Sequence, residues 1–351
     1  MKKTLLTICL VWMCFSLSAQ KIIDLSGKWS FSIDRQDNGE KEKWFSHTLN
    51  DCINLPGSMP EKLKGDEVTA KTQWTGSLYD SSYYYNPYME KYRKEGNIKF
   101  PFFLTPDKHY VGAAWYQKEV NIPADWKGER ILLFLERPHI ETTVWVNGQK
   151  TGMQNSLCVP HQYDITRYVR PGKCTITIRV DNRIKEINVG PDSHSITDQT
   201  QGNWNGIVGR ICLQTTPKTY FDDIQIYPEP EQKLARVKVV IKGAGITKIK
   251  LSAESFNTDK KHIVPAIQQE IKLNKGVTET EMVLPMGNDM LLWDEFHPAL
   301  YKLKAEVTNG KKTEIKEIQF GMRRFEIKGK WFYVNGRKTQ LLSLIHISEP
   351  T

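Results

Sequence analysis

Two carboxyl groups held side by side could do acid and base or nucleophilic work, so they are the first chemistry to look for. The sequence offers Asp294 with Glu295, and Glu136 with Glu141. Both sets fall within the regions read below as β-domains, and they read as solvated charges rather than as a catalytic dyad. Cysteines come next. Cys9 and Cys14 lie in an apolar N-terminal stretch, while Cys52, Cys158, Cys174 and Cys212 show no CxxC spacing. No metal site and no cofactor are expected from that pattern. Large β-domains do not depend on disulfides, so buried free thiols are the expectation, with one bridge as the alternative.

The elements that must carry these groups announce themselves by a period of two. Apolar and polar residues alternate without a break from Cys174 to Val180, and again from Tyr301 to Val307. Such strands have one buried and one wet face, as in antiparallel sheets. Val144-Trp145-Val146 runs into Asn147-Gly148, a hairpin signal because both central residues accept positive φ. No stretch reads as an amphipathic helix. The chain is therefore expected to be all-β and built from sandwiches. Pro228-Glu229-Pro230-Glu231 reads as the linker between two strand-rich blocks. A Tyr-rich irregular stretch from Thr75 to Tyr110 (Tyr79, Tyr83, Tyr84, Tyr85, Tyr88, Tyr92) reads as packed over a neighbour, ahead of contacting a substrate.

Composition excludes some classes. Hydrophobic residues at 39% and charged residues at 25% are ordinary for a globular protein. The net charge of +9 comes from Lys and Arg spread along the strands, and no nucleic-acid-binding pattern is present, so a solvated surface is expected. Lys2 and Lys3, the apolar run Leu5 to Phe15, and Ser18-Ala19 form an export signature with cleavage before Gln20. With that segment removed, no membrane attachment is expected, and the mature protein is placed in the periplasm or outside the cell.

A set of short strings then carries a resemblance. In order they are Leu25-Ser26-Gly27-Lys28-Trp29, Ala114-Trp115-Tyr116-Gln117-Lys118, Val144-Trp145-Val146-Asn147-Gly148 and Pro160-His161-Gln162-Tyr163-Asp164-Ile165-Thr166. They continue with Val180-Asp181-Asn182-Arg183, Trp204-Asn205-Gly206-Ile207-Val208-Gly209-Arg210, Leu292-Trp293, Leu300-Tyr301, Phe320-Gly321-Met322-Arg323 and Val334-Asn335-Gly336-Arg337. In order and spacing they resemble the front portion of family 2 glycoside hydrolases, the family of β-galactosidases, β-glucuronidases and β-mannosidases.

The resemblance implies a jelly-roll (galactose-binding-like) β-sandwich over 20–219, an immunoglobulin-like β-sandwich over 220–321, and a lead-in over 322–341 to a catalytic (β/α)8 barrel. In that family two Glu of the barrel perform a retaining, exo-acting hydrolysis. The barrel would begin after Leu341, so no catalytic residue is expected in this chain, which should be inactive alone. Residues 342–351 resemble a translated sequencing adapter, so the reading frame is expected to be interrupted there. In relatives an Asp ahead of the Trp-x-Gly-Gly-Ile segment touches the sugar. Asp198 lies near that position, with different local spacing, and His194, Asn203, Trp204 and Asn205 share the stretch. Trp204 could stack on a pyranose face and the amides bind hydroxyls; a loop packed against the barrel is the equal alternative. Asp181 and Asn182 read as capping a strand end. Trp29, Trp115 and Trp145 read as core, and the segment Arg323 to Leu341 as poorly anchored. Expected partners are a carbohydrate and the barrel, with a homo-oligomer possible. The competing function is a non-catalytic carbohydrate-binding pair of sandwiches, and the third is an exported structural product without a ligand.

Overall fold

The computed structural model describes residues 21–75, 85–99, 105–185, 198 and 202–341. The export segment, His194, Tyr79, Tyr83, Tyr84 and the last ten residues lie outside that set. The chain divides into two compact units at Thr216.

In the first unit two antiparallel sheets face each other. One has six strands in the order Gln149–Asn155, Glu141–Val146, Gly172–Asp181, Ala113–Ile122, Gly27–Asp34 and Asp51–Leu55. The other runs Ile22–Asp24, Gly206–Thr216, Arg130–Pro138 and His161–Asp164, with Gly57–Ser58 also paired to Gly206–Thr216. Trp29, Phe31, Tyr116, Val144, Ile176 and Ile178 from the first sheet meet Leu133, Leu135, Ile207 and Leu213 from the second in one buried core. The Asn147-Gly148 turn forms as its type requires, with φ of +50° and +76°.

The alternation rule holds, but the outer face of the central strands is not wet. Trp115 and Trp145 point away from the main core and pack with Leu49, Trp44 and Phe45 in a second apolar layer. The Trp115 indole donates to Asp34 Oδ2 at 2.9 Å. On the neighbouring strand Thr177, Arg179 and Asp181 are buried as well. A loop that carries its own aromatics covers this face, so the strand reads as amphipathic while both its sides are dry.

In the second unit the 22-residue strand Leu234–Ser255 is the spine. Its first half pairs with Tyr220–Glu229 and its second half with Tyr301–Asn309, which in turn pairs with Lys312–Phe320. Ile263–Pro285 pairs along nearly its whole length. Register shifts at Gly243/Gly245 and Leu251/Ala253 let one strand serve both halves. The buried core holds Val237, Val239, Ile241, Ile249, Leu251, Leu284, Tyr301 and Leu303.

Four expectations need correction. Pro228 to Glu231 is no linker: Pro228 lies within the strand Tyr220–Glu229, in register with Ala235, and Pro230–Gln232 is the turn of a hairpin inside the second unit. Proline suits that turn because no ladder hydrogen bond is needed there. The stretch after Arg323 is anchored, as the antiparallel strands Phe325–Lys328, Trp331–Val334 and Arg337–Thr339. Arg324 pairs with Glu231 and Glu326, Asn335 Nδ2 donates to the Trp293 carbonyl at 2.9 Å, and Arg337 meets Glu295 at 2.5 Å. All four cysteines after residue 21 are free, but only Cys174 and Cys212 are buried, while Cys52 and Cys158 are exposed. Burial pushes the Cys174 thiol up to about 11. In the Tyr-rich stretch, Tyr85 and Tyr88 are exposed instead of packed.

Candidate functional site

At one end of the first sandwich, two chain segments leave and enter the sheets side by side. The strand Gly172–Asp181 continues into Asn182–Lys185, and residues 202–205 lead into Gly206–Thr216. Backbone polar groups here have lost their ladder partners, and three asparagines replace them. Asn205 donates to the carbonyls of Gly112 and Val180 at 2.9 and 3.0 Å, and accepts from the Tyr116 hydroxyl at 2.8 Å. Asn182 donates to the Tyr110 carbonyl and accepts from Gly112 N–H, both at 2.8 Å. Its amide also reaches Asn203 Oδ1 at 3.0 Å, and Asn203 Nδ2 returns to the Asn182 carbonyl at 3.0 Å. Gly206 has to be glycine, because a Cβ would lie 2.5 Å from the Gly57 carbonyl oxygen.

Asp198 is buried within this knot. Its Oδ1 accepts from Asn203 N–H at 2.7 Å and its Oδ2 from Thr75 N–H at 2.6 Å, with His109 Nε2 at 3.4 Å. Asp198 N–H also donates to the Thr75 carbonyl at 3.2 Å. The carboxylate thus pins the chain at Thr75. Trp204 differs from these neighbours because it is only half-buried. Its indole stacks on His139, with centroids 4.5 Å apart and planes at 23°. Burial pushes the His139 imidazole down to about 4, so it is neutral near pH 7, and its buried Nε2 has no hydrogen-bond partner among the described residues.

Four of the sequence candidates, Asp198, Asn203, Trp204 and Asn205, therefore sit together, and His194 lies outside the described residues. The amides of Asn203 and Asn205 are spent on protein groups; the Trp204 ring is the member of the set that reaches solvent. Thr75, His109 and His139 belong to the same cluster, and nothing in their local sequence marks them.

A second polar cluster lies on the outer face of the six-stranded sheet. Asp181 does more than cap a strand end. Its Oδ2 receives Arg179 at 3.0 Å, Arg183 at 2.5 Å and Lys185 at 2.8 Å, and its Oδ1 receives the Arg183 N–H at 3.0 Å. Asp37 binds Arg179 and Arg183 at 2.6 Å each, and Glu141 binds Lys185 at 2.8 Å and Arg179 at 3.4 Å. Glu141 is buried and paired, not solvated as its sequence suggested. Asp181 and Glu141 are direct cross-strand neighbours bridged by Lys185 Nζ. They make one acid pair of this cluster, and Asp181 with Asp37, bridged by Arg179 and Arg183, makes another. A general acid needs a raised pKa. Burial works in that direction on Asp181, but hydrogen bonds from Arg183 and Lys185 outweigh it and hold the carboxyl far below the usual range. Burial raises the Asp37 carboxyl too, but hydrogen bonds from Arg183 and Arg179 outweigh it, so it also lies below its ordinary value. The pair is an ionic clamp. Among the described residues no group of three or more His, Cys, Asp or Glu is placed to hold a metal.

Residues 22–217 match the glycosyl hydrolases family 2 sugar binding domain, and residues 219–323 match a second domain of glycosyl hydrolases family 2. The chain is similar to a β-glucuronidase of Paenibacillus borealis, 24% identical over 91% of this chain and 48% of that protein. It is likewise similar to the human β-glucuronidase, at 24% over 90% and 46%. The β-galactosidase large subunit of Latilactobacillus sakei is 23% identical over 90% of this chain and 48% of its own length. Among solved structures, the β-glucuronidase of Ruminococcus gnavus in complex with D-glucuronic acid superposes with a TM-score of 0.60 at 18% identity, covering 92% of this chain and 50% of that one. The chain spans about half the length of these relatives. With two adjoining domain matches that together cover most of its length, the chain belongs to glycosyl hydrolases family 2.

Proposed function

We propose that the chain is the non-catalytic front half of a glycosidase that releases a terminal sugar from a β-glycoside with retention of configuration. The observation that carries this reading is the clamped state of Asp181 and Glu141. Cations hold Asp181 ionised, so this carboxyl has no proton to give to a leaving group. The reading places the two catalytic carboxylates in a barrel beyond Leu341, supported by family 2 relatives about twice as long as the part this chain covers. β-Glucuronides and β-galactosides are the substrates to try first, because relatives of both kinds match over nine-tenths of the chain. The half-buried Trp204 indole is the part of this half that meets the sugar.

The test is to amplify the gene from source DNA, read it through beyond codon 341, and assay the longer protein on 4-nitrophenyl β-D-glucuronide and β-D-galactoside. One of the two should be hydrolysed, with the β-anomer of the sugar appearing first by NMR. An intact gene that encodes no barrel, or a barrel protein that inverts the anomer, would sink the reading. Export is proposed with it, on Lys2, Lys3 and the apolar run that follows. N-terminal sequencing of the secreted protein should begin at Gln20, and an intact Met1 in that fraction would contradict it.

A further inference from the structure

The second unit leaves one side of a long strand without a partner. Ile263–Pro285 pairs with Leu234–Ser255, and among the described residues no strand pairs with its other side. A sheet edge presents free N–H and C=O groups, and proteins blunt it with prolines, bulges or a short length. Here Pro265 and Pro285 stand towards the two ends of the strand, and the register shifts fall at Gly243/Gly245 and Leu251/Ala253. Between those shifts, residues 267–273 run in unbroken register against residues 245–251. The stretch is an edge free of proline and bulge.

Its side chains select what pairs there. Gln268, Glu270 and Lys272 alternate along one face and are exposed, while Ile267 and Ile271 are half-buried against the core. Glu270 and Lys272 make no ion pair among the described residues, although Lys248 stands directly across from Glu270.

A second copy running antiparallel sets this strand opposite itself across a two-fold axis. Residues paired across a ladder share a face, so the axis passes through a residue. With the axis at Glu270 or Lys272, like charges meet. With the axis at Gln269 or Leu273, both charges face uncharged residues. With the axis at Ile271, Glu270 faces Lys272 twice, Gln268 faces Asn274 twice, and Ile271 meets its own copy. Opposite charges directly across a ladder are the favourable arrangement, and each Glu270 then lies between Lys248 of its own sheet and Lys272 of the second copy.

We propose that residues 267–273 form a self-association edge, at which two copies of the chain pair antiparallel about Ile271 and join their second sandwiches through one continuous sheet. The proposal rests on the second unit alone and is independent of the hydrolysis reading. Sedimentation velocity on the full chain, from about 1 to about 200 μM, should show a reversible dimer with Kd on the order of 10 μM, as fits a small transient interface. Glu270→Lys, at an exposed position, sets lysines opposite lysines and should weaken the dimer at least about tenfold with the circular dichroism unchanged. Lys272→Glu should do the same. Both substitutions together restore opposite charges and should return Kd to within about threefold of its original value. Ile327→Lys, at an exposed residue of the strand Phe325–Lys328, should leave the dimer intact. A chain still monomeric at the highest concentration, a dimer that either single charge reversal leaves unchanged, a double variant no tighter than the singles, or loss of the dimer in Ile327→Lys would each overturn the proposal.

Discussion

The two sandwiches solve the same packing problem with different interiors. Among the described residues, the second buries few polar side chains, Thr219, Thr247, Ser255 and Glu314. The first buries Asp34, Asp181, Asp198, Glu141 and Arg179, three histidines and three asparagines. Burying a charge costs several kcal/mol unless it is fully paired, so an aliphatic interior is the cheaper way to stabilise a sheet pair. The second unit shows that the cheaper way suffices. The polar groups of the first gather at strand ends, where they fix segments that have no ladder to hold them. Asp198 ties Thr75 to Asn203, and Asp181 ties residues 183–185 back to the sheet.

Breaking the ionic clamp should give the largest effect. Asp181→Ala leaves Arg179 buried opposite fewer acids, and should destabilise the first sandwich by about 3–5 kcal/mol. Seven of the ten tryptophans belong to that unit, so their fluorescence during urea unfolding reports its transition. A shift under 1 kcal/mol would show the clamp to be decorative.

His139 makes the contrast pH-dependent. Its folded pKa of about 4 lies below the ordinary 6.5, so the unfolded chain takes up a proton that the folded chain refuses. Stability from this group is present above pH 6.5 and is lost as pH falls towards 4, by about 3 kcal/mol in total. Asp181, whose pKa is lowered, loses its contribution only below the usual carboxylate range. His139→Phe keeps a ring against Trp204 and should flatten the slope between pH 6.5 and 4. An unchanged slope would assign the loss to other groups.

Asn205→Leu is smaller still. It preserves side-chain size but strands the Tyr116 hydroxyl and the Gly112 and Val180 carbonyls, for a loss of about 2 kcal/mol in the same unfolding experiment. The smallest effect belongs to the second unit. Lys302 meets Glu317 at 3.5 Å on an exposed face, and Lys302→Met should change stability by less than about 1 kcal/mol. A larger loss there would erase the difference between the two units.

What the sequence disclosed follows the same line. The alternation from Cys174 to Val180 and the Asn147-Gly148 turn were readable because their signals are local. The dry outer face of the strand through Arg179 was not, since the covering Trp44, Phe45 and Leu49 lie more than a hundred residues away in the chain. Pro228 and Pro230 suggested a break because proline marks both linkers and hairpin turns, and only the pairing of Tyr220–Glu229 with Leu234–Ser255 separates the two. Of the site cluster, Asp198, Asn203, Trp204 and Asn205 were found through resemblance. His109 and His139 were not, because a lone histidine gives no local sign of what it packs against.

The most direct test uses the purified 351-residue chain itself on 4-nitrophenyl β-D-glucuronide and β-D-galactoside. With Asp181 held ionised by its cations, release of nitrophenol should stay at the rate of the enzyme-free blank for both. Turnover above the blank that vanishes in Glu141→Gln would make the Asp181 and Glu141 pair catalytic, and would contradict the scaffold role assigned to these sheets.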